Sequence, residues 1–163
     1  MHTENEIVIH APARRIFELG ANIADWPRLL PHYRWVKVFS DDGRVKQAEM
    51  AARRNRFPVK WQTAQVVLPD ERRILFFHTG GVTRGMYVEW NLTPLKVGAS
   101  SEADERTGGV RVVISHELTY PVAPVTNWFA RSVVGGVFVS YIAGLTLARI
   151  KQIVESDAEG GAT

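Results

Sequence analysis

The chain has 163 residues, of which 45% are hydrophobic and 23% charged, with a formal net charge of +3 and a pI near 9.4. These values fit one globular domain with a sizeable core, and the charge surplus is too small to argue for nucleic acid as a partner. The absence of cysteine excludes disulfides, thiolate catalysis and cysteine-held metal.

The N-terminal "MHTENEIVIH" contains acidic residues and no apolar h-region, so no secretory signal is expected and a cytoplasmic location follows as the expectation. Residues 4–10 alternate and read as a strand. After Ala11-Pro12, "ARRIFELG" reads as a helix with Ile16, Phe17 and Leu19 on its apolar side and Gly20 as its stop. In "NIADWPRLLP", Asn22 caps a second short helix that Pro27 and Pro31 interrupt.

Strand signals then take over. "HYRWVKVFS", "RVKQAEMAARR", "VKWQTAQVVL", "RRILFFHT", "RGMYVEWNLTP" and "GVRVVISHELTYP" are read as strands. Asp41-Asp42-Gly43, Pro69-Asp70-Glu71 and Gly80-Gly81 mark turns between them, and 96–108 reads as a polar loop. The cluster Arg53-Arg54-Asn55-Arg56 reads as a solvated strand end. From Val125 to Glu155 no proline occurs, and one long helix is expected, followed by a disordered tail over 157–163. The order is strand, two short helices, six strands and a long helix. Consecutive, hairpin-linked strands make the sheet antiparallel, and 1–156 is expected to be a single domain.

The long helix contains "SVVGGVFVSYIAGLTLA", Ser132–Ala148, without a charge. Seventeen helical residues span about 26 Å, short of a bilayer core of about 30 Å. The apolar stripe continues through Ile150, Ile153 and Val154 among charged residues, and the sheet needs a cover for its apolar face. The stretch therefore reads as a covering helix. Small residues at Gly136, Ser140, Ala143 and Gly144 leave room beside it, for a close strand or for a ligand.

Alternation assigns the strand faces. In the last strand Val110, Val112, Ile114, His116, Leu118 and Tyr120 form the inward set. In the preceding strand it is Met86, Val88, Trp90 and Leu92, with Arg84 in phase. In "RILFFHT" the phase is open, with Ile74, Phe76 and His78 as one set. His116 is either a core histidine satisfied by a neighbour or a group that holds or protonates a ligand in an apolar pocket. Arg84 and Arg54 are either surface residues or holders of a carboxylate or phenolate at the pocket mouth. The five histidines show no metal-ligand spacing, and "GGVTRG" does not lead into a helix as a phosphate loop would.

Several segments resemble one family. These are "NEIVIHAPARRIFELGANIADWPRLLPHYRWVKV", with Ala-Pro before its helix, "DWP" and Tyr33, together with "VKWQTAQV", "YVEWNLTP" and "TLARIKQIVE". In order and over nearly the whole chain they resemble the polyketide cyclase/dehydrase-like proteins of the START and Bet v 1-like superfamily. The resemblance implies an α+β helix-grip fold: a curved antiparallel sheet of about seven strands around a long C-terminal helix, with an apolar cavity between them. It implies a hydrophobic small-molecule ligand, of aromatic polyketide, lipid or quinone type, and no cofactor. Two roles follow from it, cyclisation or dehydration of a polyketide-like substrate and non-catalytic carriage of a lipid or quinone. It places Trp26, Leu30 and Tyr33 at the pocket entrance and turns Trp61, Thr63 and Gln65 inward. Together with Arg54, Phe76, His78, Arg84, Met86, Val88, Trp90, Ile114, Gly136 and Ser140 these make the expected binding set, with His116 as acid/base. The sequence departs from the aromatase/cyclases at Gln65, where they carry an arginine; glutamine supplies neither charge nor proton. The outer side of the long helix is left for a membrane surface or a partner chain, with the protein a monomer or a homodimer.

Overall fold

The computed structural model describes residues 1–54, 57–95, 108–118 and 137–160. Its elements run β1 (His2–Ile9), α1 (Ala13–Ala21), a 3-10 turn (Ile23–Asp25), α2 (Trp26–Leu29), β2 (Tyr33–Asp41), β3 (Val45–Arg54), β4 (Phe57–Leu68), β5 (Arg73–Gly81), β6 (Met86–Pro94), β7 (Val110–Leu118) and α3 (Val137–Gly160). The seven strands form one sheet in the order β1-β7-β6-β5-β4-β3-β2. Every pairing is antiparallel, and short connections link the consecutive strands from β2 to β6. Register shifts within β2–β3 and β4–β5 add local twist and help the sheet curl.

Strict alternation makes one face of this sheet apolar. In β7 the buried residues are Val110, Val112, Ile114, His116 and Leu118, and in β6 they are Met86, Val88, Trp90 and Leu92. The α3 helix covers this face with Phe138, Val139, Ile142, Ala143, Leu147, Ile150 and Val154. Polar bonds pin its C-terminal half. Lys151 Nζ donates to the Val8 carbonyl at 2.7 Å, Arg149 Nε donates to the Leu29 carbonyl at 3.2 Å, and Glu155 accepts the His10 amide at 2.8 Å. Among the described residues no helix is long and apolar enough to cross a membrane.

Several details differ from the sequence reading for physical reasons. Gly20 does not end α1, which continues to Ala21. It lets the helix lie on the sheet: a Cβ there would meet Ile74 Cδ1 at 3.0 Å and Trp90 Cζ3 at 3.1 Å. Pro27 does not interrupt α2 but sits in its first turn, where a missing amide costs nothing. Asn22 precedes the 3-10 turn, yet its side chain bonds the Asp25 carboxylate at 2.8 Å rather than a backbone amide. The α3 helix runs to Gly160, so 157–160 of the expected tail are helical. The expected start of that helix at Val125, and its two adjacent glycines, lie outside the described residues.

Candidate functional site

A cavity of about 60 Å³ lies between the concave sheet and α3. The sheet contributes Met50, Trp61, Phe76, Met86, Val88, Trp90 and Ile114, and α3 contributes Phe138, Val139, Ile142, Ala143 and Thr146. Trp26 of α2 and Tyr33 at the start of β2 close one end. Their rings form a continuous wall. Trp26 lies 4.8 Å from Tyr33, 5.9 Å from Phe76 and 5.9 Å from Trp90, and Tyr33 meets Trp61 edge-on at 6.2 Å. Tilted and edge-on contacts of this kind suit the quadrupoles of the rings and keep the wall rigid. The Trp26 indole is itself anchored, Nε1 donating to the Leu19 carbonyl at 3.0 Å.

Polar groups reach this apolar space mainly from one side. His78 on β5 stacks on Trp61 at 5.8 Å, and its Nδ1 bonds Thr83 Oγ1 at 2.7 Å. Thr83 belongs to the "GGVTRG" turn, and the turn is built to bring it inward. Gly81 and Gly85 take φ of +81° and +87°, and the Gly85 amide bonds the His78 carbonyl at 2.8 Å. His116 on β7 lines the cavity next to Val88, its cross-strand neighbour on β6. At the far side Thr146 Oγ1 bonds His32 Nε2 at 2.8 Å and donates to the Ile142 carbonyl at 2.8 Å.

Burial sets the charge of these groups. It pushes His116 down to about 4, with His2 adding to the effect. It pushes His78 down to about 3, with His116 as the second cause, and His32 down to about 4. Tyr33 is raised by burial, so its phenol keeps its proton. All these groups are neutral at neutral pH. Desolvation in an apolar cavity disfavours the imidazolium, so His116 does not keep the near-neutral pKa of a free imidazole. Two cavity-lining residues carry buried polar atoms without partners, Nε1 of Trp61 and Nδ1 of His116.

The structure gathers most of the expected binding set around this space. Trp26, Tyr33, Trp61, Phe76, His78, Met86, Val88, Trp90, Ile114 and His116 line it. Other expected residues stand elsewhere. Leu30 is packed in the core and Thr63 bonds the Phe77 carbonyl at 3.3 Å, neither of them lining the cavity. Gln65 Nε2 donates to the Ala21 carbonyl at 3.0 Å, tying β4 to the end of α1. Arg84 is solvent-exposed in its turn. The small-residue stripe splits: Ala143 faces the cavity, whereas Ser140 and Gly144 face β1. There the Asn5 amide donates to the Ser140 carbonyl at 3.1 Å, and a Cβ on Gly144 would lie 3.5 Å from that nitrogen. Gly136 and the side chain of Arg54 lie outside the described residues.

Thr83, Thr146 and Met50 are lining residues that the sequence reading passed over. For Thr83 a signal existed, since a turn with three glycines around one threonine invites a close inward approach. Among the described residues no lysine, arginine or carboxylate lines the cavity, and no group of three or more histidines and acids is placed to hold a metal. The outer side of α3 exposes Tyr141 and Leu145 beside a surface groove shared with Pro31, His32, Arg53 and Arg149.

Comparison with known proteins agrees with this architecture. The chain is similar over nearly its whole length to the crystal structure of the Zhui aromatase/cyclase from Streptomyces sp. R1128. The TM-score is 0.79 and the identity 16%, with 99% of this chain and 98% of that one covered. It is similar also to a START superfamily protein from Mycobacterium smegmatis, with TM-score 0.63, 17% identity and coverage of 98% and 97%. A Streptomyces halstedii protein named "Putative polyketide cyclase" is 38% identical over 42 residues, 26% of this chain. That match spans 38% of the curated relative's length. The family model described as "Polyketide cyclase / dehydrase and lipid transport" matches residues 9–145. The helix-grip architecture and this match place the chain in the polyketide cyclase / dehydrase and lipid transport family.

Proposed function

We propose that the chain binds an uncharged, flat, oxygen-bearing ring compound of polyketide type in its internal cavity and promotes loss of water from it, with His116 as the base. The observation that carries this reading is an aromatic-walled cavity whose lining includes the buried imidazole of His116. A neutral imidazole has a lone pair able to accept a proton, and burial keeps His116 in that form at neutral pH. The family membership and the aromatase/cyclase likeness support the substrate class.

The step balances without a cofactor. The carbon between a ketone and a carbinol gives its proton to His116, and a carbon–carbon double bond forms. The carbinol carbon–oxygen bond breaks, and the departing oxygen takes a proton back from the imidazolium and leaves as water. The absence of a lining cation among the described residues favours a ketone or phenol over a carboxylate as the bound group. A cavity of about 60 Å³ corresponds to about four waters, so a fused ring enters only when side chains give way. Met50 and Met86, long and unbranched, are the wall residues best able to do so.

The test uses 3-hydroxy-1-tetralone, whose dehydration gives 1-naphthol. Tryptophan quenching by 1-naphthol reads binding, because Trp26, Trp61 and Trp90 line the site. The expected result is naphthol formation by the wild type, loss of turnover with retained quenching in His116→Gln, and loss of both in Ala143→Leu. Quenching without turnover in the wild type would replace catalysis by carriage. No quenching at all would remove the cavity as a binding site.

A further inference from the structure

Three buried polar atoms without hydrogen-bond partners occur on neighbouring residues of two paired strands: Thr3 Oγ1, Asn5 Oδ1 and His116 Nδ1. Thr3 is the cross-strand partner of His116, and Asn5 pairs with Ile114 two residues before it. All three point to the covered face, as the alternation of β1 and β7 requires. Directly opposed residues have Cβ atoms about 5 Å apart, within reach of a hydroxyl and an imidazole after one side-chain rotation. An unmet polar group inside a protein is costly, and three in one patch point to partners among themselves.

The direction of such a chain follows from its fixed end. The Asn5 amide donates to the Ser140 carbonyl of α3 at 3.1 Å, so its oxygen faces the other way and can only accept. The Thr3 hydroxyl, two residues away on the same face of β1, is a group able to donate to that oxygen. Threonine has a single hydroxyl proton, so once it is given to Asn5 the same oxygen can only accept from His116. His116 must then carry its proton on Nδ1.

We propose that Thr3 and Asn5 are positioning residues, which hold His116 as the Nδ1–H tautomer through a relay from His116 Nδ1 to Thr3 Oγ1, from Thr3 to Asn5 Oδ1, and from Asn5 Nδ2 to the Ser140 carbonyl. The relay leaves the Nε2 lone pair bare for the cavity. It rests on the reading of His116 as the group that takes the substrate's proton, and adds which nitrogen does so and why. It also gives Ser140 and Gly144 a purpose: a glycine one turn beyond Ser140 lets the β1 side chain reach the helix backbone.

The test is nitrogen NMR of the histidine rings in the intact protein at neutral pH, assigned with a His116→Gln variant. A pyrrole-like Nδ1 and a pyridine-like Nε2 are expected for His116. Thr3→Val should shift both nitrogens toward the other tautomer, and Thr3→Ser should restore the wild-type pattern. The rings of His32 and His78, bonded to Thr146 and Thr83, should keep their shifts in both variants and so report an intact fold. A wild-type His116 protonated on Nε2, or a Thr3→Val variant with unchanged His116 shifts, would overturn the relay. Because no ligand is present in this measurement, that outcome is separate from failure of naphthol binding or turnover. If Thr3→Val disturbs all three rings, Asn5→Asp decides the matter: its carboxylate keeps the acceptor, so the Nδ1–H pattern should persist, and its loss would overturn the relay.

Discussion

Replacing Gly81 by alanine should cost far more than the same change at Gly43, although both residues have nearly the same positive φ, +81° and +84°. An alanine in that left-handed region costs about 1–2 kcal/mol. At Gly43 nothing lies within 4 Å of the added carbon, so that cost is the whole effect. At Gly81 the added Cβ would stand 2.5 Å from the Lys60 carbonyl oxygen and 2.7 Å from Trp61 Cα. Both are backbone atoms of β4, at the place where the β4–β5 register shifts between Gln62 and Thr63. They cannot rotate away, so an overpacking cost of about 1–3 kcal/mol adds to the first, for a total of about 2–5 kcal/mol. With a urea slope of about 2 kcal/mol per M, the midpoint should fall by about 1–2.5 M in Gly81→Ala and by about 0.5–1 M in Gly43→Ala. Equal shifts in the two variants would refute the contact argument. The same change should weaken naphthol quenching, because the Gly81 turn delivers Thr83 to His78.

Three further outcomes follow from the site. His32, His78 and His116 have folded pKa values depressed below the ordinary 6.5, so the unfolded chain binds more protons between about 4 and 6.5. Stability is then full above 6.5 and falls on acidification through that window, by up to about 1.4 kcal/mol per pH unit for each ring; urea midpoints that stay flat from pH 7 to pH 5 would contradict it. Thr83→Val leaves the buried His78 Nδ1 without its partner and should destabilise by about 1–3 kcal/mol in the same denaturation assay, whereas a neutral effect would mean that water replaces the hydroxyl. Gly20→Ala gains about 1 kcal/mol of helix propensity and meets Trp90 and Ile74 at 3.0–3.3 Å. Because Trp90 is held against Trp26 at 5.9 Å and cannot retreat, the net effect on the thermal midpoint should be a decrease.

The parts of this molecule legible in the sequence are those governed by a period. Alternation in β6 and β7 alone sorts Met86, Val88, Trp90, Ile114 and His116 onto the face that the cavity occupies. What a period cannot carry is where a polar side chain finds its partner. Gln65 is inward, as the resemblance implies, and wholly buried, yet it serves the end of α1, because Ala21 offers its carbonyl there. The stripe of small residues on α3 was legible as room, but the occupant differs along it. At Ala143 the room opens on the cavity, and at Gly144 it admits Asn5. The charge state of His116 was the least legible property, since a histidine flanked by apolar residues in sequence has the same local pattern whether it is sealed or wet. Only the closure of α3 over β7 and β1 decides it, and that closure both removes the proton and leaves Nδ1 without solvent. The strand paired beside this orphaned nitrogen is β1, which precedes His116 by more than a hundred residues. Pairing places Thr3 directly across from His116, so the relay proposed above rests on a juxtaposition that only the finished sheet creates.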